Sequence, residues 1–309
     1  MDYFHNCMKI IGRTDGRGAV SSASYRSGER IYDHRTGLWH DYTKKRGIVH
    51  SEILLPEHAP EHYHDRAILW NSVEYVEKAK NAQLAREVEV AIPRELDREE
   101  QIRLTREYVQ EQFVSRGMCA DVNLHKKGKN IHAHIMLTMR PINPDGTWGA
   151  KSSKEYVLDR QGQRIMLDSG EWKSRKVSAV DWNERDNAEI WREAWATTLN
   201  RELERRGLKP VDHRSYKRQG LDKEPQQHMG PKALELERQG VQTEIGDKNR
   251  AIRERNAQRE RGRHVRNLDE RNYTQQEQRE GQAQGRLPSY EEWLERHKKE
   301  QSRGMERGR

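Results

Sequence analysis

The chain has 309 residues, of which 32% are hydrophobic and 35% are charged, and its formal net charge is +8. Because so few apolar side chains cannot fill a core along the whole length, we expect one folded region and a polar remainder. The positive charge favours a polyanionic partner, and two cysteines, Cys7 and Cys119, exclude a disulfide framework or a cysteine zinc site and fit a reducing cytoplasm.

Apolar residues are concentrated before about residue 208, and their spacing predicts strands at 3–11, 47–55, 86–92, 118–124 and 131–139. Helices are predicted over about 21–32, from Asp65 onward, and from Asp97 to near Gly117. Because the strands alternate apolar and polar residues, helices are needed on one side only. We therefore predict an α+β fold, a five-stranded antiparallel sheet with helices on one face and an open face that carries the active site.

The remainder of the chain is predicted to be mostly helical and polar. Turn signals over 141–177 predict hairpins or mobile loops, and Asp181 is predicted to cap a helix that Gly207 ends. A further helix is predicted over about 233–260. We divide the chain into a folded domain over 1–208, a helical extension over 209–260, and a charged tail over 261–309 that is disordered or partly helical.

Three histidines lie in two adjacent predicted strands. His132 and His134 are two residues apart, so their side chains share a face, and His125 ends the preceding strand of the same hairpin. The hairpin therefore brings three imidazoles together on the open face, an arrangement typical of a divalent-metal site that keeps coordination positions for substrate oxygens. A pair of histidines on one strand is otherwise more often a polar outer surface.

Tyr25 lies among small residues on a short predicted helix, in the segment 21–28 (SSASYRSG), so its phenol should be accessible. A tyrosine can attack a phosphodiester when its proton is removed and a metal polarises the phosphate. Tyr32, two helical turns later, is the reserve candidate, although packing is the preferred explanation for it. Most tyrosines pack or lie on the surface, so the position alone does not identify a nucleophile.

Four segments carry a resemblance to a known family. They are 21–28 (SSASYRSG), 81–96 (NAQLAREVEVAIPREL), 125–140 (HKKGKNIHAHIMLTMR) and 212–230 (DHRSYKRQGLDKEPQQHMG). In this order and combination they resemble the MobA/MobL family of plasmid mobilisation relaxases, within the HUH endonuclease group. The likeness covers most of residues 1 to about 258. Ser24 departs from the family pattern, which commonly has a second alanine at that position.

The resemblance implies roles for particular residues. Tyr25 matches the nucleophile, and the metal-binding triad falls on His125, His132 and His134. The acidic strand motif falls on Glu87 and Glu89, one of which is implied to orient a ligand histidine or to help deprotonate the tyrosine. The family fold is a ferredoxin-like antiparallel sheet, in agreement with the fold predicted above, and the extension over 209–260 is implied to be family-specific and to contact DNA.

A relaxase of this kind cleaves one DNA strand at a plasmid transfer origin (oriT), keeps the bond energy in a covalent 5′-phosphotyrosine, and rejoins the strand after transfer. We expect single-stranded DNA to lie across the sheet, with its bases stacked on aromatic side chains and its phosphates held by basic ones. The basic candidates are Arg26, Lys126, Lys127, Lys129, Arg214, Lys217 and Arg218.

The implied cofactor is a divalent metal ion. Availability and phosphate coordination favour Mn²⁺ or Mg²⁺, whereas the affinity of three imidazoles favours Zn²⁺, Ni²⁺ or copper. The implied partners are accessory relaxosome proteins and the coupling protein of a type IV secretion system. The sequence has no apolar run of the roughly 18 residues that a membrane span requires, so we expect no membrane insertion. We expect a cytoplasmic location in the donor cell and export with the DNA.

Three alternative functions stay open from the sequence. A rolling-circle replication initiator shares the chemistry, but its tyrosine helix normally follows the His-x-His strand, whereas Tyr25 precedes it. A non-catalytic basic DNA-binding protein would use the histidines structurally and would keep its activity after Tyr25→Phe. A metallohydrolase would use water as the nucleophile and would leave a free 5′-phosphate.

Overall fold

The protein is described from a computed structural model, which describes residues 4–280, 290–295 and 297. The chain divides into two compact units between His213 and Arg214. Residue 3, at which the predicted first strand begins, lies outside the described residues. So does much of the predicted tail, at 281–289, 296 and 298–309. In the described part of the chain, no helix is both long and apolar enough for a membrane span.

Five antiparallel strands form the central sheet of the first unit. They are β1 (Asn6–Gly12), β4 (Ile48–Leu54), β5 (Gln83–Ile92), β6 (Ala120–Lys127) and β7 (Asn130–Thr138). The second and third strands of the chain form a separate hairpin, which is described below. Their order across the sheet is β1-β5-β7-β6-β4. Each corresponds to a predicted strand, so the predicted α+β class with a five-stranded antiparallel sheet is confirmed.

One face of the sheet is covered by α3 (Arg98–Gln112) and α4 (Asn187–Arg205). Alternate residues of β5 and β7, such as Val88 and Ile135, pack there against Tyr108 and Trp195, all fully buried. The helix α3 begins after Asp97, as predicted, and Asp97 and Glu100 form a capping box there. The predicted start of α4 at Asp181 is wrong, because Arg116 pairs with the Asp181 carboxylate (2.7 Å) and that residue opens only a short 3-10 turn.

Two further helices, α1 (Ala19–Ser27) and α2 (Arg66–Val76), pack on one end of the opposite face. They cover apolar side chains of the sheet, including Ile11, Ala85 and Met136. The strand β5 begins before the predicted strand does, and its residues Leu84 and Ala85 are both fully buried, so this end of the sheet needs a helical layer on each side. The three histidines lie on this same face of the sheet, where His125 is buried and His132 and His134 are half-buried.

The helix predicted over 21–32 is too long, because α1 ends at Gly28. This glycine has φ +73°, a left-handed backbone conformation, so the helix cannot continue through it. A Cβ at this position would also come too close to the side chain of Ile48. The chain instead forms a hairpin of β2 (Arg30–Asp33) and β3 (Leu38–Asp41). Tyr32 therefore lies on a strand and not on the helix of Tyr25.

The region over 141–177 contains the hairpin strands β8 (Ser152–Tyr156) and β9 (Ser174–Ser178). The second unit contains α5 (Pro231–Arg238) and α6 (Glu244–Glu280). The helix α6 continues well past the predicted end near residue 260. Asn249 of α6 accepts a hydrogen bond from the Gln227 amide (2.8 Å) and donates one to the Gln227 carbonyl (2.9 Å), which fixes the preceding segment to this helix.

Candidate active site

The three histidines predicted from the sequence converge on the sheet. His125 of β6 is paired directly with His132 of β7, and His134 follows on the same face of β7. One ring nitrogen from each histidine lies within 4.8 Å of those of the other two. The ring centroids are 4.7 to 5.5 Å apart. Three imidazoles at this spacing can share a single ion.

The environment of the histidines favours the form that binds a metal. Burial lowers the pKa of His125 and of His132 to about 4, so both rings are neutral near pH 7. Within the described residues, Nδ1 of His132 is buried and has no hydrogen-bond partner. A buried nitrogen without a partner is costly unless a ligand takes it up. The donor set therefore fits a divalent ion.

Glu87 of β5 links the histidine cluster to the helix α1. Its side chain accepts a hydrogen bond from Nδ1 of His134 (2.7 Å) and two from the guanidinium of Arg26 (2.7 and 2.6 Å). Glu87 is only 3% exposed, and burial alone would favour the neutral acid, but these bonds hold the pKa of Glu87 well below its usual range. The carboxylate fixes the proton of His134 on Nδ1, which leaves Nε2 of that ring available to a metal.

Glu89 makes different contacts from Glu87. Its carboxylate lies 3.6 Å from Nε2 of His5 and 3.4 Å from Nζ of Lys9. The hydrogen bond from His5 is the main reason that the pKa of Glu89 is lowered to about 2. The sequence left open which glutamate orients a ligand histidine, and the hydrogen bond to His134 favours Glu87.

Tyr25 lies on α1 with 49% of its side chain exposed. Its chain neighbour Arg26 reaches the cluster twice, because the Arg26 carbonyl accepts a hydrogen bond from Nε2 of His125 (2.7 Å) and the Arg26 guanidinium binds Glu87. The helix that carries Tyr25 is thereby tied to two of the three histidines. Arg26 was predicted to contact DNA, but the structure pairs its guanidinium with groups of the protein.

Two residues of the turn after β3 hold the ring of Tyr25. Tyr42 packs edge-on against it, with ring centroids 5.2 Å apart. Nζ of Lys45 lies 3.6 Å from the centroid of the Tyr25 ring and donates a hydrogen bond to the Tyr25 carbonyl (2.6 Å). Burial, with a smaller effect from Arg26, lowers the pKa of Lys45 to about 8.

Lys45 and Tyr42 are not among the residues predicted from the sequence. The only local signal was the basic run of Lys44, Lys45 and Arg46 before the second predicted strand, and such runs are usually solvated. The charge of Lys45 also makes a small contribution to the lowered pKa of His125 and of His132.

The other predicted site residues lie elsewhere. Lys126 and Lys127 are exposed at the end of β6, next to His125 in the chain, and Lys129 is exposed on the turn that follows. The tyrosine held in reserve, Tyr32, packs against Trp39 with ring centroids 5.1 Å apart. The remaining predicted DNA contacts are exposed in the second unit and are Arg214, Lys217 and Arg218.

A buried polar network supports the same face of the sheet. Asp121, which is fully buried, accepts hydrogen bonds from Arg66 (2.8 and 2.9 Å) and from the indole of Trp70 (2.8 Å). Asn123 donates to Asp121 (2.8 Å) and is paired directly with His134 across the strands. The network therefore ties α2 to the strand beside the histidines.

The chain is similar to known proteins over most of its length. A family model described as "MobA/MobL family" matches residues 17–239. The chain is 37% identical over 259 residues to "Conjugal transfer protein TraA" of Agrobacterium fabrum, which covers 78% of this chain and 23% of that protein. It is 34% identical over 273 residues to "Probable mobilization protein MobA" of Bifidobacterium longum, which covers 83% of this chain and 48% of that protein.

A solved structure also matches. Its title is "Molecular Basis of Vancomycin Resistance Transfer in Staphylococcus aureus", and it superimposes with a TM-score of 0.58 at 30% sequence identity. The match covers 69% of this chain and 99% of that chain. The two curated relatives are much longer, since this chain spans only 23% and 48% of their lengths.

Proposed function

Because the chain belongs to the MobA/MobL family, we propose that it is a relaxase, which cleaves and rejoins one DNA strand at a plasmid transfer origin during conjugative mobilisation. The names of its relatives, for conjugal transfer and mobilisation, support this setting. The observation that carries the proposal is the link through Arg26, which joins the helix of Tyr25 to His125 directly and to His134 through Glu87.

In the proposed reaction the phenol oxygen of Tyr25 attacks the scissile phosphate. The bond from phosphorus to the 3′ oxygen breaks, which gives a 5′-phosphotyrosine and a free 3′-hydroxyl. Since one phosphoester replaces another, the bond energy is kept, and a 3′-hydroxyl can later attack the phosphotyrosine to rejoin the strand.

The protein groups around Tyr25 have distinct roles in this proposal. His125, His132 and His134 would hold a divalent metal ion, Mn²⁺ or Mg²⁺, which would supply positive charge to polarise the phosphate. Glu87 keeps His134 in the tautomer and orientation that a ligand needs. The ammonium of Lys45 holds Tyr25 in place, by its contact with the face of the ring and its hydrogen bond to the Tyr25 carbonyl.

The proposal is tested with a labelled single-stranded oligonucleotide that carries the transfer origin of the plasmid encoding this chain. We expect a denaturation-resistant protein–DNA adduct that disappears with chelator and with Tyr25→Phe. The matched control is Tyr75→Phe, which changes a tyrosine that is 80% exposed on α2. DNA binding without an adduct would instead identify a binding protein, and a free 5′-phosphate without an adduct would identify a hydrolase.

A further inference from the structure

The β2–β3 hairpin carries an exposed aromatic surface that the proposed chemistry does not use. Leu38 and Trp39 are adjacent in β3 and are 59% and 57% exposed. Tyr32 is directly opposite Trp39, and Arg30 lies two residues before Tyr32, so these three side chains share one face of the hairpin. We call Arg30, Tyr32 and Trp39 the hairpin platform.

The hairpin platform combines aromatic rings with a cation in solvent. The guanidinium carbon of Arg30 lies 4.3 Å from the centroid of the Trp39 ring, and the Tyr32 ring lies 5.1 Å from it. Proteins that bind single-stranded nucleic acid use this combination, because any unpaired base can stack on an aromatic ring or a guanidinium plane while a cation attracts the phosphates.

The hairpin platform is attached to the segment that carries Tyr25. The hydroxyl of Ser24 lies 2.9 Å from the carbonyl oxygen of His40, within hydrogen-bond distance. Ser24 is the chain neighbour of Tyr25, and His40 is the chain neighbour of Trp39. A DNA strand whose scissile phosphate sits at Tyr25 can therefore reach the hairpin platform.

The charges around the hairpin favour DNA over a protein partner. Arg30 is opposite Asp41 and lies 3.8 Å from its carboxylate. However, the segment 30–46 has five lysines and arginines against two aspartates, and Lys44 and Arg46 are exposed just after β3. The exposed apolar side chains of the hairpin are two neighbours, Leu38 and Trp39. A stable protein interface buries roughly 1,200–2,000 Å² in total, which two side chains cannot supply, whereas one ring is enough for one base.

We propose that the hairpin platform binds an unpaired base of the single-stranded DNA next to the scissile phosphate, by stacking the base on Trp39. This inference rests on the proposed function, because it takes the strand that Tyr25 cleaves as the ligand. The hairpin thus sets where the strand lies along the helix α1.

The test is a base-deletion scan with the full-length chain in a Tyr25→Phe background, so that no strand is cleaved. Single abasic sites are placed at successive positions of the transfer-origin oligonucleotide, and the Kd is measured for each. We expect Trp39→Ala to weaken binding about tenfold and Trp39→Phe to retain most of the affinity. Tyr75→Ala, which removes a more exposed aromatic ring outside the hairpin, should leave Kd unchanged.

The decisive result is the loss of one positional effect. In the Tyr25→Phe parent, one abasic position near the cleavage site should cost about as much affinity as Trp39→Ala does. In the variant that carries both Tyr25→Phe and Trp39→Ala, an abasic site at that position should leave Kd unchanged. If every abasic position costs the same with and without Trp39, the inference is wrong. Unchanged DNA binding together with reduced plasmid transfer in cells would also overturn it, because Trp39 would then contact a protein.

A separate arm distinguishes this result from failure of the proposed function. The chain with Tyr25 intact is assayed for the covalent adduct on the same oligonucleotide. If no adduct forms, the proposed function fails, whatever the abasic scan shows. If the adduct forms and the scan is flat, only the base-stacking inference fails. Thermal unfolding of Trp39→Ala, expected to match the parent because Trp39 is exposed, excludes misfolding as the cause.

Discussion

At the scale of single residues, the candidate site depends on a buried carboxylate that serves two elements at once. Glu87 accepts hydrogen bonds from the imidazole of His134 and the guanidinium of Arg26, whereas Glu89 pairs with His5 and Lys9. We predict that Glu87→Gln weakens metal binding about 10- to 100-fold, because the neutral amide supports His134 less well and leaves Arg26 unpaired. Calorimetric titration with Mn²⁺ measures this, with Glu89→Gln as the matched control. An equal or larger loss in the control would contradict the assignment.

Lys45 provides a second residue-scale prediction. Its ammonium lies over the Tyr25 ring and binds the Tyr25 carbonyl, whereas Lys44 is exposed in the same turn. We predict that Lys45→Met slows adduct formation at saturating DNA about tenfold, while Lys45→Arg keeps most of the rate and Lys44→Met keeps all of it. Single-turnover rates give the answer. A higher Kd for DNA with an unchanged rate at saturation would show that Lys45 is only a phosphate contact.

Acid should destabilise the metal-free protein through its buried histidines. Burial lowers the pKa of His125 and of His132 from 6.5 to about 4, so in the interval between these values the unfolded chain binds protons that the folded protein does not. The stability contribution is fully present above pH 6.5 and is lost as the pH falls towards 4. We expect a loss on the order of 1–2 kcal/mol per histidine near pH 5.

Urea unfolding with chelator at pH 7.5 and pH 5 measures this loss. His132→Gln removes one of the two buried groups and should reduce the acid-induced drop in the free energy of unfolding. His64→Gln is the control, because the side chain of His64 is half exposed. An unchanged drop in His132→Gln would mean that the cluster does not cause the acid sensitivity.

At the scale of elements, the five sheet strands could be predicted because apolar residues are concentrated in them and alternate with polar ones over part of their length, as at 86–90 in β5 and 131–135 in β7. The histidine cluster followed from the same alternation. The β2–β3 hairpin was missed because its strands have four residues each, too few for a visible period, although Gly28 and Gly37 marked its start and its turn. The contacts of Arg26 and Lys45 depend on how α1 docks against the sheet, and no local pattern encodes that.

The contact between α1 and the β2–β3 hairpin gives an element-scale prediction. Ser24, at the position where the resembled family commonly has alanine, is fully buried and lies within hydrogen-bond distance of the Glu29 and His40 carbonyls. We predict that Ser24→Ala lowers the free energy of unfolding by about 1 kcal/mol through the lost hydrogen bond, while the adduct still forms. Urea unfolding and the adduct assay test both parts. Loss of the adduct in a folded variant would show that the hydroxyl takes part in the chemistry.

At the scale of the whole molecule, two compact units follow one another, and the candidate site lies entirely in the first. The boundaries at 208 and 260, which separate the predicted folded domain, helical extension and charged tail, stay predictions. The family match extends across the division between the units, from residue 17 to residue 239, so both belong to what this chain shares with its relatives. The net charge of +8 agrees with a DNA partner without identifying the surface that binds it.

In the proposed reaction, the phenol of residue 25 is the group that becomes covalently bound to DNA. The most direct measurement is mass spectrometry of the adduct after digestion of both protein and DNA. We predict a nucleotide attached to the peptide that contains Tyr25, formed only when a divalent metal is present. A nucleotide on any other residue, Tyr32 included, or an adduct that forms equally well in chelator would contradict the account.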